Sequence, residues 1–173
     1  MRLAATPSQT VGPFFAIGMH TVDIAPEPAG ERLTIQGRVL DGDGNGINDA
    51  VIETWQADSA GHYADRSPRG WGRVVTDASG TFRFSTTKPG RLPGVGDVVH
   101  APHIAVTIFA RGLLKHLFTR IYFPDEPSNA SDYILALVPD DRRATLIALP
   151  SGPNRFEWNI VLQGEDETAF FEC

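Results

Sequence analysis

The residues with the clearest chemical potential are histidines at the start of a strongly alternating stretch. His103 opens the run at residues 103–111, and a histidine two positions later would place two imidazoles on one strand face, ready to hold a metal ion. That second position is Ala105. His100 precedes His103 by three positions, and side chains so spaced in an extended segment are predicted to point to opposite faces. Other side chains are candidates to complete a ligand set through the fold: Tyr63, His62 and Asp65.

A structural interpretation competes with the metal site, because His103 and Tyr63 can equally be buried, hydrogen-bonded core residues. Tight metal sites generally need three or four protein ligands. Nucleophilic catalysis has less support, since the sequence contains no Gly-x-Ser-x-Gly and Cys173 has no base beside it. The glycine-rich residues 41–46 lack the Lys-Ser/Thr ending of a phosphate loop, so they predict a turn.

The composition describes an ordinary globular chain. Its 173 residues suit one domain, with 42% hydrophobic and 21% charged residues. The net charge of -6 argues against binding to nucleic acid or an anionic membrane. The sequence shows no signal peptide and no apolar segment long enough to span a bilayer, and its single cysteine, Cys173, suits a reducing compartment. We therefore expect a cytoplasmic protein.

Short alternating segments separated by Gly, Pro and Asx turns predict an all-β fold, an antiparallel β-sandwich with long loops and a short helix. Residues 1–32 are expected to form an extended N-terminal arm and linker, and residues 33–173 the sandwich domain. The helix is expected within residues 139–148, where a proline precedes two acidic residues. The turn at residues 77–80 predicts a hairpin between strands at residues 72–76 and 80–85.

Two strands carry the strongest alternation. The stretch at residues 103–111 places four apolar side chains on one face: Ile104, Val106, Ile108 and Ala110. Residues 156–163 predict a second strand with four inward side chains: Phe156, Trp158, Ile160 and Leu162. Both strands are therefore predicted to line the core.

The arm and the far end of the first of these strands hold further candidate site residues. Gly12, between Thr10 and Pro13, lets the backbone approach another group closely. Arg111 ends the strand just before a glycine, where side chains often reach the rim of a site, although a surface ion pair explains it equally well. Nearby apolar side chains in the arm require burial: Phe14, Phe15 and Ile17.

Several segments together resemble the intradiol ring-cleavage dioxygenases. The longest are residues 35–47 (IQGRVLDGDGNGI) and 51–63 (VIETWQADSAGHY). Shorter matches extend the resemblance over nearly the whole chain from Thr6: residues 72–73, 81–84, 88–90, 102–104 and 119–123. Residues 6–13 (TPSQTVGP) and 160–171 (IVLQGEDETAFF) resemble more specifically the alpha, non-iron-binding subunit of heteromeric members.

The resemblance implies a fold, a cofactor and a reaction. Catalytic chains of this family hold a non-haem Fe(III) with two tyrosines and two histidines, and that ion binds a catechol substrate for ring cleavage by O2. By matching position, the four ligands fall on Tyr63, Leu92, His103 and Ala105. Leucine and alanine have no lone pair to donate, so these positions are expected to be vestigial. The resemblance thus implies no metal and no catalytic residue in this chain alone.

The resemblance also implies a partner, an iron-bearing beta subunit. Matching positions assign Thr10, Gly12 and Pro13 to the wall of the partner's substrate pocket, with Arg111 at its mouth to favour a substrate carboxylate. Two alternatives remain open. One is a self-sufficient metalloenzyme that uses Tyr63 and His103, and the other is a stand-alone β-sandwich binding or carrier module.

Overall fold

The structure is a computed structural model that describes residues 5–24, 27, 30–63, 70–94, 96 and 98–172. Its strands, in chain order, are β1 (Arg32–Leu40), β2 (Val51–Trp55), β3 (Trp71–Val75), β4 (Thr81–Thr87), β5 (Leu92–Pro93), β6 (Val99–His100), β7 (His103–Phe109), β8 (Leu117–Tyr122), β9 (Leu149–Gly152), β10 (Arg155–Glu157) and β11 (Ile160–Val161). The helices are α1 (Tyr133–Ala136) and α2 (Asp140–Arg143), with 3-10 turns at Phe15–Gly18, Pro127–Ser131 and Ala144–Leu146.

Two sheets form the body of the molecule, which confirms the predicted all-β sandwich. One sheet has the order β11-β1-β10-β9, with β4 also paired to β1, and the other has the order β3-β2-β7-β8. Strands β5 and β6 pair separately. The helices are short, and no helix in the described part of the chain is long and apolar enough to cross a membrane.

The core between the sheets follows from the alternation of side chains. On β7, Ile104, Val106 and Ile108 are fully buried, as predicted. They belong to one cluster with side chains from the other sheet, namely Ile35, Val39 and Phe82. Burying an aliphatic side chain of this size contributes about 1.5–3 kcal/mol, so this face of β7 is a main source of stability.

The first sheet differs from a purely antiparallel one, because β1 pairs in parallel with both β10 and β11. The sequence predicted one strand over residues 156–163, and the structure divides it at Trp158 and Asn159. There the Asn159 side chain accepts the hydrogen bond from the backbone N–H of Arg38, at 2.9 Å. A side chain thus replaces a backbone partner in the ladder. The inward positions hold, with Trp158 and Ile160 buried and Phe156 and Leu162 packed against the core.

Two other local predictions need correction. The turn at residues 77–80 forms, but it joins β3 to β4, which lie in different sheets, so the predicted hairpin is wrong. The predicted helix is α2, whose helical conformation continues only through the 3-10 turn to Leu146. The sequence prediction missed α1. Its N-cap is Asp132, whose side chain accepts a hydrogen bond from the backbone N–H of Leu135.

The arm lies partly on the sandwich and partly in solvent. Val22 pairs with Arg73 of β3, and Ile24 is buried in the core. Phe14 and Ile17, predicted to require burial, are each 75% exposed. The division between arm and sandwich domain at residue 32 stays a prediction, and Cys173 lies outside the described residues.

Candidate functional site

Two adjoining cavities contain all four positions that the resemblance matched to iron ligands. One, of about 650 Å³, is bordered by Tyr63, Leu92 and His103. The other, of about 470 Å³, is bordered by Tyr63, His103 and Ala105. Arg120, which the sequence analysis did not single out, borders both. We call these two spaces together the β7 cavity, because β7 begins at its wall.

Tyr63 reaches the β7 cavity from a tight turn after β2. In that turn Gly61 has a positive φ of 83°, and a Cβ there would lie 1.9 Å from the carbonyl oxygen of Arg91, so only glycine fits. The Tyr63 ring stacks on Trp55 with 5.8 Å between centroids. Burial raises the pKa of the Tyr63 hydroxyl, and the positive charge of Arg120 opposes that rise. Tyr63 is therefore a neutral phenol at physiological pH.

His103 is buried at the first position of β7 and is 3% exposed. Its Nδ1 lies 2.8 Å from the carbonyl oxygen of Ala101. Burial, assisted by the positive charge of Arg120, lowers the His103 pKa to about 4. The neutral ring must donate from Nδ1 to that carbonyl, which leaves the lone pair of Nε2 as an acceptor.

Leu92 and Ala105 complete the wall without any ligand atom. Leu92 of β5 pairs with His100 of β6, and Ala105 lies on β7 between Trp55 of β2 and Arg120 of β8. Tyr63 and His103 thus supply donor atoms at only two of the four positions that the resemblance matched to iron ligands. No group of three or more His, Cys, Asp or Glu side chains among the described residues is arranged to hold a metal ion. With a guanidinium also present, these residues do not fit Fe(III).

The two neighbouring histidines correct a prediction from the sequence. His100 and His103 were expected on opposite faces of an extended segment, yet their ring centroids are 6.1 Å apart and both rings border the larger cavity. The reason is that the chain bends between β6 and β7, at Pro102. His100 Nδ1 lies 3.5 Å from the buried carboxylate of Asp132.

Asp132 organises the polar groups behind this wall. Its fully buried carboxylate accepts hydrogen bonds from the backbone N–H groups of Ala101 and Leu135, each at 2.8 Å, and from the Tyr122 hydroxyl at 3.1 Å. Burial alone would raise the pKa of Asp132, but these hydrogen bonds outweigh it and lower the pKa. A charged carboxylate thus ties together the start of β7, the end of β8 and the start of α1.

Arg120 is the charged residue of the β7 cavity. The pairing of β7 with β8 places it directly beside Ala105. Its Nη1 lies 3.4 Å from the Tyr122 hydroxyl, a long contact, and its buried Nε has no hydrogen-bond partner in the structure. No described carboxylate forms an ion pair with it within 4.0 Å. In the sequence, Arg120 lies on a predicted strand and within the matched segment 119–123, but neither pattern marks it as a site residue.

The remaining predicted site residues lie on the arm and just beyond the opposite end of β7, and with the exposed Phe14 and Ile17 they define what we call the arm surface: Thr10, Gly12, Pro13 and Arg111. The hydroxyl of Thr10 accepts a hydrogen bond from the backbone N–H of Gly112, at 2.8 Å, so the arm docks beside Arg111. Thr10, Gly12 and Pro13 are exposed. Arg111 forms an ion pair with Asp49, and half of its side chain is exposed. The structure therefore places Thr10 next to the neighbour of Arg111, and the predicted role of all four residues stays a prediction.

The comparisons with known proteins agree with this architecture. A sequence model described as Dioxygenase matches residues 16–164. The chain is 42% identical to the protocatechuate 3,4-dioxygenase alpha chain of Burkholderia cepacia, over 98% of both proteins. It is 36% identical to the beta chain from the same organism, over 82% of this chain and 68% of that protein.

A solved structure gives the same result for the fold. The dioxygenase domain of a carbohydrate-binding fusion protein from Streptomyces sp. SirexAA-E aligns with a TM-score of 0.65 and 26% identity, over 95% of this chain and 100% of that one. The matches therefore span both the sandwich and the cavity at the start of β7. The chain belongs to the intradiol ring-cleavage dioxygenase family.

Proposed function

We propose that this chain is the alpha, non-iron-binding subunit of a cytoplasmic protocatechuate 3,4-dioxygenase. The assembly would cleave 3,4-dihydroxybenzoate with O2 to 3-carboxy-cis,cis-muconate. In it, the beta subunit would hold Fe(III), and this chain would supply an interface and part of the substrate-pocket wall. The chain alone would have no activity.

One combination of observations carries this proposal. The chain matches an alpha chain over 98% of both lengths, so its similarity is not confined to a shared core. At the same time Leu92 and Ala105 remove two of the four ligand positions at the β7 cavity. Similarity over the whole length, together with the loss of two of the four ligand positions, is the combination expected of a non-iron-binding subunit.

The arm surface supports a role at a partner's pocket. Thr10, Gly12 and Pro13 are exposed, and Phe14 and Ile17 present apolar side chains that a second subunit would cover. Arg111 would favour the substrate's carboxylate at the pocket mouth. Its ion pair with Asp49 already neutralises part of its charge, so we expect a modest electrostatic contribution.

The proposal is tested by comparing the purified full chain with the product of its co-expression with a protocatechuate 3,4-dioxygenase beta chain. We expect the lone chain to be colourless and free of stoichiometric iron, and the co-expressed chains to co-purify with iron and ring-cleaving activity. Metal analysis and visible absorption report the first result, and size-exclusion chromatography with an oxygen-uptake assay reports the second.

Contradicting results would separate the alternatives. Stoichiometric iron with tyrosinate-to-iron absorption in the lone chain would favour a self-sufficient metalloenzyme using Tyr63 and His103. A chain that never associates with the beta subunit would favour a stand-alone binding or carrier module.

A further inference from the structure

Arg120 is a partly buried cation that forms no ion pair with a described carboxylate. Its contact with the Tyr122 hydroxyl is long, and its Nε is buried without a partner. Tyr63 and His103 border the same two cavities as Arg120, but both side chains are neutral and cannot compensate a positive charge. A buried N–H group without an acceptor costs free energy, so an anion that accepted a hydrogen bond from the Arg120 Nε would be stabilised.

The walls around Arg120 restrict the shape of such an anion. The aromatic residues that border the smaller cavity are Trp55, Tyr63, Trp71 and Phe118, and its one acidic residue, Glu53, is paired with Arg73. The larger cavity is bordered by Leu92 and Pro93. Flat aromatic and aliphatic walls of this kind suit a planar apolar body. The guanidinium is itself planar and presents paired N–H groups, the geometry that matches a carboxylate.

The cavity is also bordered by uncharged hydrogen-bonding groups, among them the Tyr63 hydroxyl and the His103 ring. Tyr63 is 40% exposed, and its hydroxyl is available to donate a hydrogen bond. The Nε2 of His103 is left as an acceptor once Nδ1 donates to Ala101. A cation, a neutral donor and a neutral acceptor thus converge on a mostly apolar space, the general composition of a small-molecule site.

We propose that the β7 cavity binds a small aryl carboxylate, with Arg120 as the residue that recognises the carboxylate. The four positions matched to iron ligands do not provide a metal site in this chain. The organic anion would bind in the same region, beside the Arg120 guanidinium. The inference concerns this chain's own cavity and does not depend on the proposed subunit role.

The test measures binding of benzoate to the purified full chain by isothermal titration calorimetry, with benzamide as the neutral control of the same shape. We expect benzoate to bind and benzamide to bind at least about tenfold more weakly, since the charge-assisted hydrogen bond is lost. The variant Arg120→Met should weaken benzoate binding by about tenfold or more. Arg83→Met, which removes an exposed arginine of β4 in the other sheet, should leave it unchanged.

A second measurement needs no variant and so cannot fail through misfolding. Benzoate added to the wild-type chain should shift the 15N resonances of the Arg120 Nε and the His103 ring. The proposal is overturned if benzoate and benzamide bind equally, if Arg120→Met retains full benzoate affinity, or if those resonances do not move. None of these results bears on iron content or on association with a beta chain.

Discussion

The two ends of β7 differ in how their side chains are held. At its start, around the β7 cavity, His103 and Asp132 are buried, and Asp132 alone receives three hydrogen bonds from the described residues. At its end, the arm surface is exposed, and the bond from Gly112 to Thr10 joins the arm to the strand. Strand β7 therefore connects the β7 cavity, whose wall is held by hydrogen bonds within the chain, to the arm surface, whose apolar side chains are exposed to solvent.

This difference concerns what holds the two regions in shape. Hydrogen bonds between protein groups, three of them to Asp132, hold the wall behind the β7 cavity, so the shape of the wall does not need an ion. The arm surface is the reverse case, because Phe14 and Ile17 are exposed in the chain by itself. We infer that binding of a partner subunit changes the surroundings of the arm surface most. Single substitutions should lower the stability of the fold most at the β7 cavity.

The strongest test of the comparison restores the missing ligands at the β7 cavity. The triple variant Leu92→Tyr, Ala105→His and Arg120→Met supplies two donors and removes the cation. If the walls keep the family geometry, we expect the purified variant to change from iron-free to near-stoichiometric Fe(III) with tyrosinate-to-iron absorption. Metal analysis and visible spectroscopy measure the change.

The matched control for this graft is the double variant that keeps Arg120. Because the guanidinium repels a cation at close range, we expect it to bind Fe(III) at least about tenfold more weakly. A triple variant that folds but takes up no iron would show that the cavity has lost the family geometry.

A smaller effect is expected from removing the Asp132 carboxylate. Asp132→Ala leaves two buried backbone N–H groups and the Tyr122 hydroxyl without their acceptor, which should lower the free energy of unfolding by about 3–5 kcal/mol. Urea unfolding of the wild type and the variant measures the loss. Asp166→Ala, at an exposed carboxylate, should change it by less than about 0.5 kcal/mol.

The same carboxylate gives a pH dependence whose sign follows from its pKa. Folding lowers the pKa of Asp132 below its ordinary 3.8, so its stabilisation is complete above that value and is lost as pH falls through the lower folded pKa. The stability difference between wild type and Asp132→Ala should therefore shrink in acid. A difference that stays constant down to pH 2 would contradict this account.

The smallest expected effect lies at the arm surface. In the assembled enzyme, Arg111→Ala should raise KM for protocatechuate by only about two- to fivefold, because Arg111 is half exposed and already paired with Asp49. The increase should diminish at high salt, and the iron signal should stay intact. Arg155→Ala, another exposed arginine, serves as control, and equal kinetics for both variants at low salt would reduce Arg111 to a surface charge.

Alternation along the sequence was sufficient to predict the sandwich and the core face of β7, because the period of two directly determines which side chains are buried. The positions expected to be vestigial followed from the family resemblance, and the structure brings Tyr63, Leu92, His103 and Ala105 around one cavity. Local patterns could therefore identify the strands and the positions that matter.

Relations between distant segments could not be predicted in this way. The proximity of Arg120 to Ala105 depends on the register of β7 with β8, and the role of Asp132 depends on loops that meet only after folding. The bend at Pro102, which reverses the expected placement of His100, also requires knowledge of where β6 ends. Turn residues at positions 77–80 predicted a reversal correctly but contained no information on which sheet follows.

The parallel pairing of β1 with β10 and β11 has a consequence for biosynthesis. The hydrogen bond from Arg38 to Asn159 joins positions 121 residues apart, which a ribosome adding about 5–20 residues per second separates by roughly 6–24 s. Strand β4 can cover one side of β1 early, but the other side waits for the late strands. During that interval the open side of β1 is a template for pairing with other chains. We therefore expect the segment that completes the first sheet also to protect the newly made chain from aggregation.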